Sequence, residues 1–169
     1  MGNKSVLVVS LLRVKFALML GLSFTTFWLS AEGNEWVNAR GMLDKFNDTN
    51  DELYLAGTLQ RCFVLQGMVG RFLSENDDKD IGNIYLKMSE ASLLNSYNVH
   101  KTKELKRGLS TTPVEKYLES TEYTLTLAAE QYSELIKRSR ANTGDMIGKE
   151  VRSDLEICSM IHQTFTAEN

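Results

Sequence analysis

The chain has 169 residues, 43% hydrophobic and 24% charged, with a formal net charge of −3, one proline and two cysteines. This composition excludes a disordered tail and a disulfide-dense scaffold, and its mild acidity argues against general affinity for nucleic acid. A single proline leaves the backbone free to run as long helices.

Residues 1–33 differ from the rest in charge and composition. No acidic side chain precedes Glu32, and Lys4, Arg13 and Lys15 precede an apolar run from Phe16 to Leu29. That is the order of a signal peptide, a basic n-region followed by an apolar h-region. Fourteen residues of helix reach roughly 21 Å, short of a hydrocarbon core of about 30 Å. Extending the span back to Ser5 would bury Arg13 and Lys15, at about 2.5–3.5 kcal/mol each. Ala31, Glu32 and Gly33 then form a small-residue cleavage region, with cut before Asn34. The expected organisation is therefore a signal peptide over 1–33 and an exported domain over 34–169. The alternative is an uncleaved N-terminal anchor, touching the membrane only through residues 5–30 and holding the domain outside the cytoplasm.

Beyond residue 33 apolar residues recur at three and four, and no stretch alternates as a half-buried strand would. A short lead-in places Trp36, Ala39, Leu43 and Phe46 on one face, as a lid or collar. The segment Thr49-Asn50-Asp51-Glu52 has the form of a capping box and opens a helix to about Ser74. Its stripes Leu55, Leu59, Cys62, Leu65, Val69, Phe72 and Leu53, Ala56, Phe63, Gly67, Gly70 make it the most buried helix. A charged loop, Glu75 to Asp80, precedes a second helix that starts with Ile81, Ile84, Tyr85, Met88 and Ala91 and grows more polar from Leu94 to Arg107; Gly108 ends it.

Thr112-Pro113-Val114-Glu115 marks a third start, with an N-cap hydroxyl, proline in the first turn and glutamate three residues on. This helix reaches about Ala141 and is expected to bury Val114, Leu118, Thr121, Leu125, Ala128, Tyr132 and Leu135. The last, from Asp145 to about Thr166, carries Ile147, Val151, Leu155, Cys158, His162 and Phe165 on one face. Short connections between long helices predict an all-α, up-down-up-down four-helix bundle, preceded by a short helix and the N-terminal signal or anchor helix.

An even cysteine pair in an oxidising compartment reads as a disulfide. Counting rise along antiparallel helices sets Cys62 about 16 Å up the first and Cys158 at about 15 Å on the last, so the two are level. The competing reading is a metal site, with Cys158 and His162 at i and i+4 on one face and Cys62 as a third ligand. Haem on His162 lacks an attachment motif, and a di-iron site fails because Tyr97 and Ser159 stand three residues before His100 and His162. The acidic run 76–80 has Ile81 and Lys87 where a calcium loop needs glycine and glutamate. Gly144 to Lys149 is one residue short of a phosphate-binding loop and follows a helix.

No hydrolase motif occurs, and Glu115, Glu119 and Glu122 form a face favoured by the helix dipole near an N-terminus. The basic groups Lys101, Lys103, Lys106, Arg107 and Lys137, Arg138, Arg140 sit near two helix C-termini at opposite bundle ends, which does not make a nucleic-acid stripe. The sequence thus predicts a periplasmic or secreted, non-enzymatic helical domain that binds another protein or supports an envelope assembly, with no cofactor. Contact surfaces would be an exposed Trp36 or an unpaired patch on the second helix. The alternative function is a small-ligand or metal-binding bundle around Cys62, Cys158 and His162.

Overall fold

The computed structural model describes residues 36–76, 78–145 and 147–167; the expected signal segment and its cleavage site lie outside them. The described residues belong to a compact unit that starts at Trp36, and all their regular structure is helical. The helices are α1 (Ala39–Thr49), α2 (Glu52–Glu75), α3 (Lys79–Lys106), α4 (Val114–Thr143) and α5 (Lys149–Ala167). Among the described residues no helix is long and apolar enough to cross a membrane.

Helix α2 is the axis of the fold and packs against each of the other four. Every residue from Ala56 to Gly67 is buried, as its double apolar stripe predicts. Its end residues depart from that expectation: Leu53 and Phe72 are exposed.

The broadest interface, α2 against α3, is made on the α3 side mainly by small side chains. The buried residues of α3 include Gly82, Ser89, Ser92, Leu93 and Ser96, whereas Ile81 and Ile84 are exposed. The cause is close approach. A Cβ on Gly82 would lie 2.7 Å from the Gly70 carbonyl oxygen, and one on Gly70 would lie 2.9 Å from that of Gly82. Backbones this near leave no room for isoleucine. The serine hydroxyls then donate across the seam: Ser89 Oγ to Phe63 O at 2.7 Å and Ser96 Oγ to Ala56 O at 2.9 Å. Gln66, fully buried, turns its amide nitrogen to Cys62 O, Met88 O and Ser92 Oγ at 2.9–3.2 Å. Each bond offsets the desolvation of a hydroxyl or amide that an apolar seam would leave unpaired. The contacts run Ala56 with Ser96 and Gly70 with Gly82, so α3 descends antiparallel to α2.

The helix starts are capped differently from the sequence reading. Asp51, not Thr49, caps α2 and accepts from Leu53 N; the Thr49 hydroxyl donates to Lys45 O in α1. Pro113 occupies the cap position of α4, and the Thr112 hydroxyl and N–H both bond to Glu104 of α3. The Glu104 carboxylate thereby takes two charge-assisted hydrogen bonds from one residue. Helix α5 begins four residues later than expected, since Asp145 accepts from Ile147 N in a turn ahead of it. Gly108 and Gly144 do terminate their helices with φ of 69° and 74°, a region that disfavours a Cβ.

On α4, Thr121, Ala128 and Tyr132 are buried as predicted, joined by Tyr117, while Val114, Leu118, Leu125 and Leu135 are only partly covered. On α5, Val151, Leu155 and Cys158 are buried, and so are Asp154, Ile157 and Ile161.

Candidate functional site

The two cysteines sit at the centre of the domain. Cys62 of α2 and Cys158 of α5 form a disulfide with Cα atoms 5.3 Å apart, and each residue is 1% exposed. Ala39, the first residue of α1, is fully buried and belongs to the same core cluster. The bridge leaves neither sulfur as a thiolate, so the alternative set Cys62, Cys158 and His162 does not assemble as metal ligands here. Among the described residues no group of three His, Cys, Asp or Glu side chains gathers as a metal ion requires.

Around the bridge lies a buried polar cluster that periodicity did not reveal. Asp154, one turn before Cys158 and 1% exposed, accepts from Ala39 N at 3.0 Å, Arg40 N at 3.1 Å and Tyr132 Oη at 2.6 Å. The first N–H groups of a helix have no carbonyl partner within it. Here Asp154 serves those of Ala39 and Arg40, and the Asn38 side chain serves that of Gly41 at 2.9 Å. A carboxylate at this position also complements the positive end of the α1 dipole.

Arg61, adjacent to Cys62, closes the cluster from α2. Its Nε donates to Val37 O, another guanidinium nitrogen donates to Gly57 O at 3.1 Å, and its Cζ lies over the Trp36 ring, 5.0 Å from the centroid. Burial pushes the Arg61 guanidinium below its ordinary value, opposed by the field of Tyr132 and Asp154. Burial also raises the Tyr132 phenol, and the nearby Asp154 carboxylate raises it further. Trp36 stands edge-on to Tyr132 with ring centroids 5.4 Å apart. It is half-buried by these partners, which removes it as the exposed contact the sequence suggested.

A second buried group joins α2, α3 and α4. Tyr117 Oη contacts Ser96 Oγ at 2.6 Å and receives a hydrogen bond from Gln60 at 3.1 Å, and burial raises its phenol. His100 stacks against Tyr117 at 5.2 Å and lies 3.3 Å from Glu104. The Thr112 hydroxyl and N–H, then His100, hold the Glu104 carboxyl below the usual range.

A shallow cleft of about 280 Å³ opens at the start of α2. Two of its three cations are paired with carboxylates: Lys103 with Asp51, and Lys106 with Glu52 at 2.6 Å, while Arg107 adds its field at Asp51. Each lysine lowers the pKa of its partner. Of the basic group read near the end of α3, Lys103 is therefore a buried structural charge. Lys137, Arg138 and Arg140 are on the α4 surface, with Lys137 bound to Glu134 at 2.8 Å. Glu115, Glu119 and Glu122 are all solvent-exposed.

The disulfide could be sought from two cysteines and helical rise. Asp154 and Tyr132 had a fainter signal: an acid on the apolar face of α5, between Val151 and Leu155, needs buried donors. Comparison with protein-family models, curated proteins and solved structures finds no match to the chain.

Proposed function

We propose that this is an exported, non-enzymatic helical domain, periplasmic in a host with two membranes or else secreted, that binds another protein or supports an envelope assembly. The architecture in this reading is an up-down-up-down four-helix bundle with α1 as a collar, behind a cleaved signal or a retained anchor. A buried disulfide supports the export part, since such bonds persist in oxidising compartments.

The observation that carries the binding part is the outer side of α3. This 28-residue helix gives its small side chains to α2 and turns Ile84, Leu94 and Leu105 outward, each more than half exposed. Leu94 and Leu105, eleven residues and about three turns apart, point away from the serine seam. Exposed apolar side chains grouped on one helix favour association.

Two measurements test the reading. N-terminal sequencing and thiol counting on protein from the native host are expected to find export and no free thiol; reduced cysteines in cytoplasmic material overturn it. Photo-crosslinkers at positions 94 and 105 are expected to capture a defined envelope protein, with capture lost in Leu94→Glu/Leu105→Glu. A monomer that yields no adduct at either position removes the binding role.

A further inference from the structure

The segment that enters the domain lies directly on the disulfide, and the groups that hold it are neighbours of the two cysteines in the chain. Arg61 immediately precedes Cys62 and bonds Val37 O. Asp154, one turn before Cys158, bonds the amides of Ala39 and Arg40, and the adjacent Ser153 accepts from Arg40 Nε at 2.8 Å. The clamp therefore has one jaw on α2 and the other on α5, and the Cys62–Cys158 bond joins the jaws at a Cα separation of 5.3 Å. In return, the clamped segment shares the buried surroundings of the bond: Ala39 is 0% exposed and forms one core cluster with the two cysteines.

We propose that residues 36–40 form a redox-coupled strap, held down by jaws that the disulfide sets in register and itself shielding that disulfide from thiol attack. Binding energy between two prepositioned jaws is lost in part when they move independently, because their relative position must then be fixed at each docking event. Coupling of this kind is reciprocal: whatever the bond contributes to docking, docking contributes to the persistence of the bond.

The chemistry requires a dithiol reductant. Its thiolate attacks one cysteine sulfur, breaks the Sγ–Sγ bond and forms a mixed disulfide; its second thiol then closes on itself and releases the protein. Two electrons pass to the cysteine pair, each sulfur ends with a proton, and the reductant leaves as its own disulfide. Attack must reach a sulfur that Ala39 covers, so reduction waits on opening of the strap.

Amide hydrogen exchange on the full chain reads both directions. The N–H groups of Ala39 and Arg40 lie in the first turn and bond only to Asp154, so their exchange reports the clamp. On reduction with dithiothreitol both are expected to exchange at least about tenfold faster, the scale of losing a charge-assisted hydrogen bond. The amides of Val64 and Leu93, buried in α2 and α3, are expected to stay far better protected than those two, since they open only with the whole domain. Unchanged exchange at Ala39 and Arg40 overturns the proposal, as does convergence of strap and core amides on one opening free energy, which would make the strap open only with the whole domain. In the reverse direction, oxidised Asp154→Asn is expected to be reduced about tenfold faster than the parent. Arg61→Lys, which keeps the charge but loses the Nε donor, serves if the first variant does not fold. A folded jaw variant reduced at the parental rate also overturns the proposal.

Discussion

Asp154→Asn removes the charge at the centre of the buried cluster while keeping the side-chain shape. One oxygen can remain on Tyr132 Oη and Ala39 N, but the new amide group then faces Arg40 N, donor against donor. A buried unsatisfied N–H costs about 1–3 kcal/mol, and loss of a carboxylate from a partly buried helix N-terminus costs up to about 2. The surviving bonds weaken because their acceptor is no longer charged, and Arg61 loses a compensating field. The total is about 3–5 kcal/mol, a large fraction of the roughly 5–15 kcal/mol that holds a domain of this size. The expected readout is a fall in Tm of roughly 10–20 °C and a matching shift in the urea midpoint. Tyr132→Phe loses only the 2.6 Å bond and leaves the carboxylate its backbone partners, for about 1–2 kcal/mol. Because the two residues share a bond, the double variant should fall short of the sum by about 1 kcal/mol. A loss below about 1 kcal/mol in Asp154→Asn, or strict additivity with Tyr132→Phe, would refute the cluster as the anchor of α1.

Gly82→Ala should destabilise by about 1–3 kcal/mol despite the better helix propensity of alanine, because its Cβ would sit 2.7 Å from Gly70 O and Ser74 N; urea unfolding checks this. Replacing both cysteines by serine removes a link across 96 residues and should cost about 2–5 kcal/mol by denaturant titration, without loss of helical circular dichroism at low temperature. Asp51, Glu52 and Glu104 have lowered pKa values in the fold, so the stability they contribute is complete above about pH 4.5 and is lost as pH falls through their folded values; Glu104→Gln should flatten the acid limb of a Tm profile. Tyr117 and Tyr132 are raised, so their contribution is complete below about pH 10 and is lost as pH climbs towards their folded values; in an ultraviolet titration they should ionise late, with one late group fewer in Tyr132→Phe.

Helix number and approximate extent were legible in the sequence because they rest on local physics. Apolar spacing of three and four, one proline beside α4, and glycines at the ends of α3 and α4 act within a few residues of themselves. The same reasoning identified α2 as the most buried helix. It fell short on α3, where the spacing of Ile81, Ile84 and Tyr85 did not identify the inward face. A periodicity argument assumes ordinary helix separation, whereas Gly70 and Gly82 permit backbone contact and Gly67 makes room for Ser89, which favours Ser89, Ser92 and Ser96 at the seam. It failed at the caps as well: Glu104 is eight residues from Thr112, and Asp154 is 115 from Ala39, beyond any local pattern.

What the sequence determined alone is an all-helical chain with two cysteines placed to meet, since hydrogen bonding within a helix and rise per residue depend on nearest neighbours. Tertiary structure decided which face of each helix is inward, which carboxylate caps which helix, and that the entering segment lies over the disulfide. Those outcomes depend on how closely two backbones approach and on which distant polar group reaches a free N–H first. Both are properties of the assembled domain, set by side chains far apart in the chain.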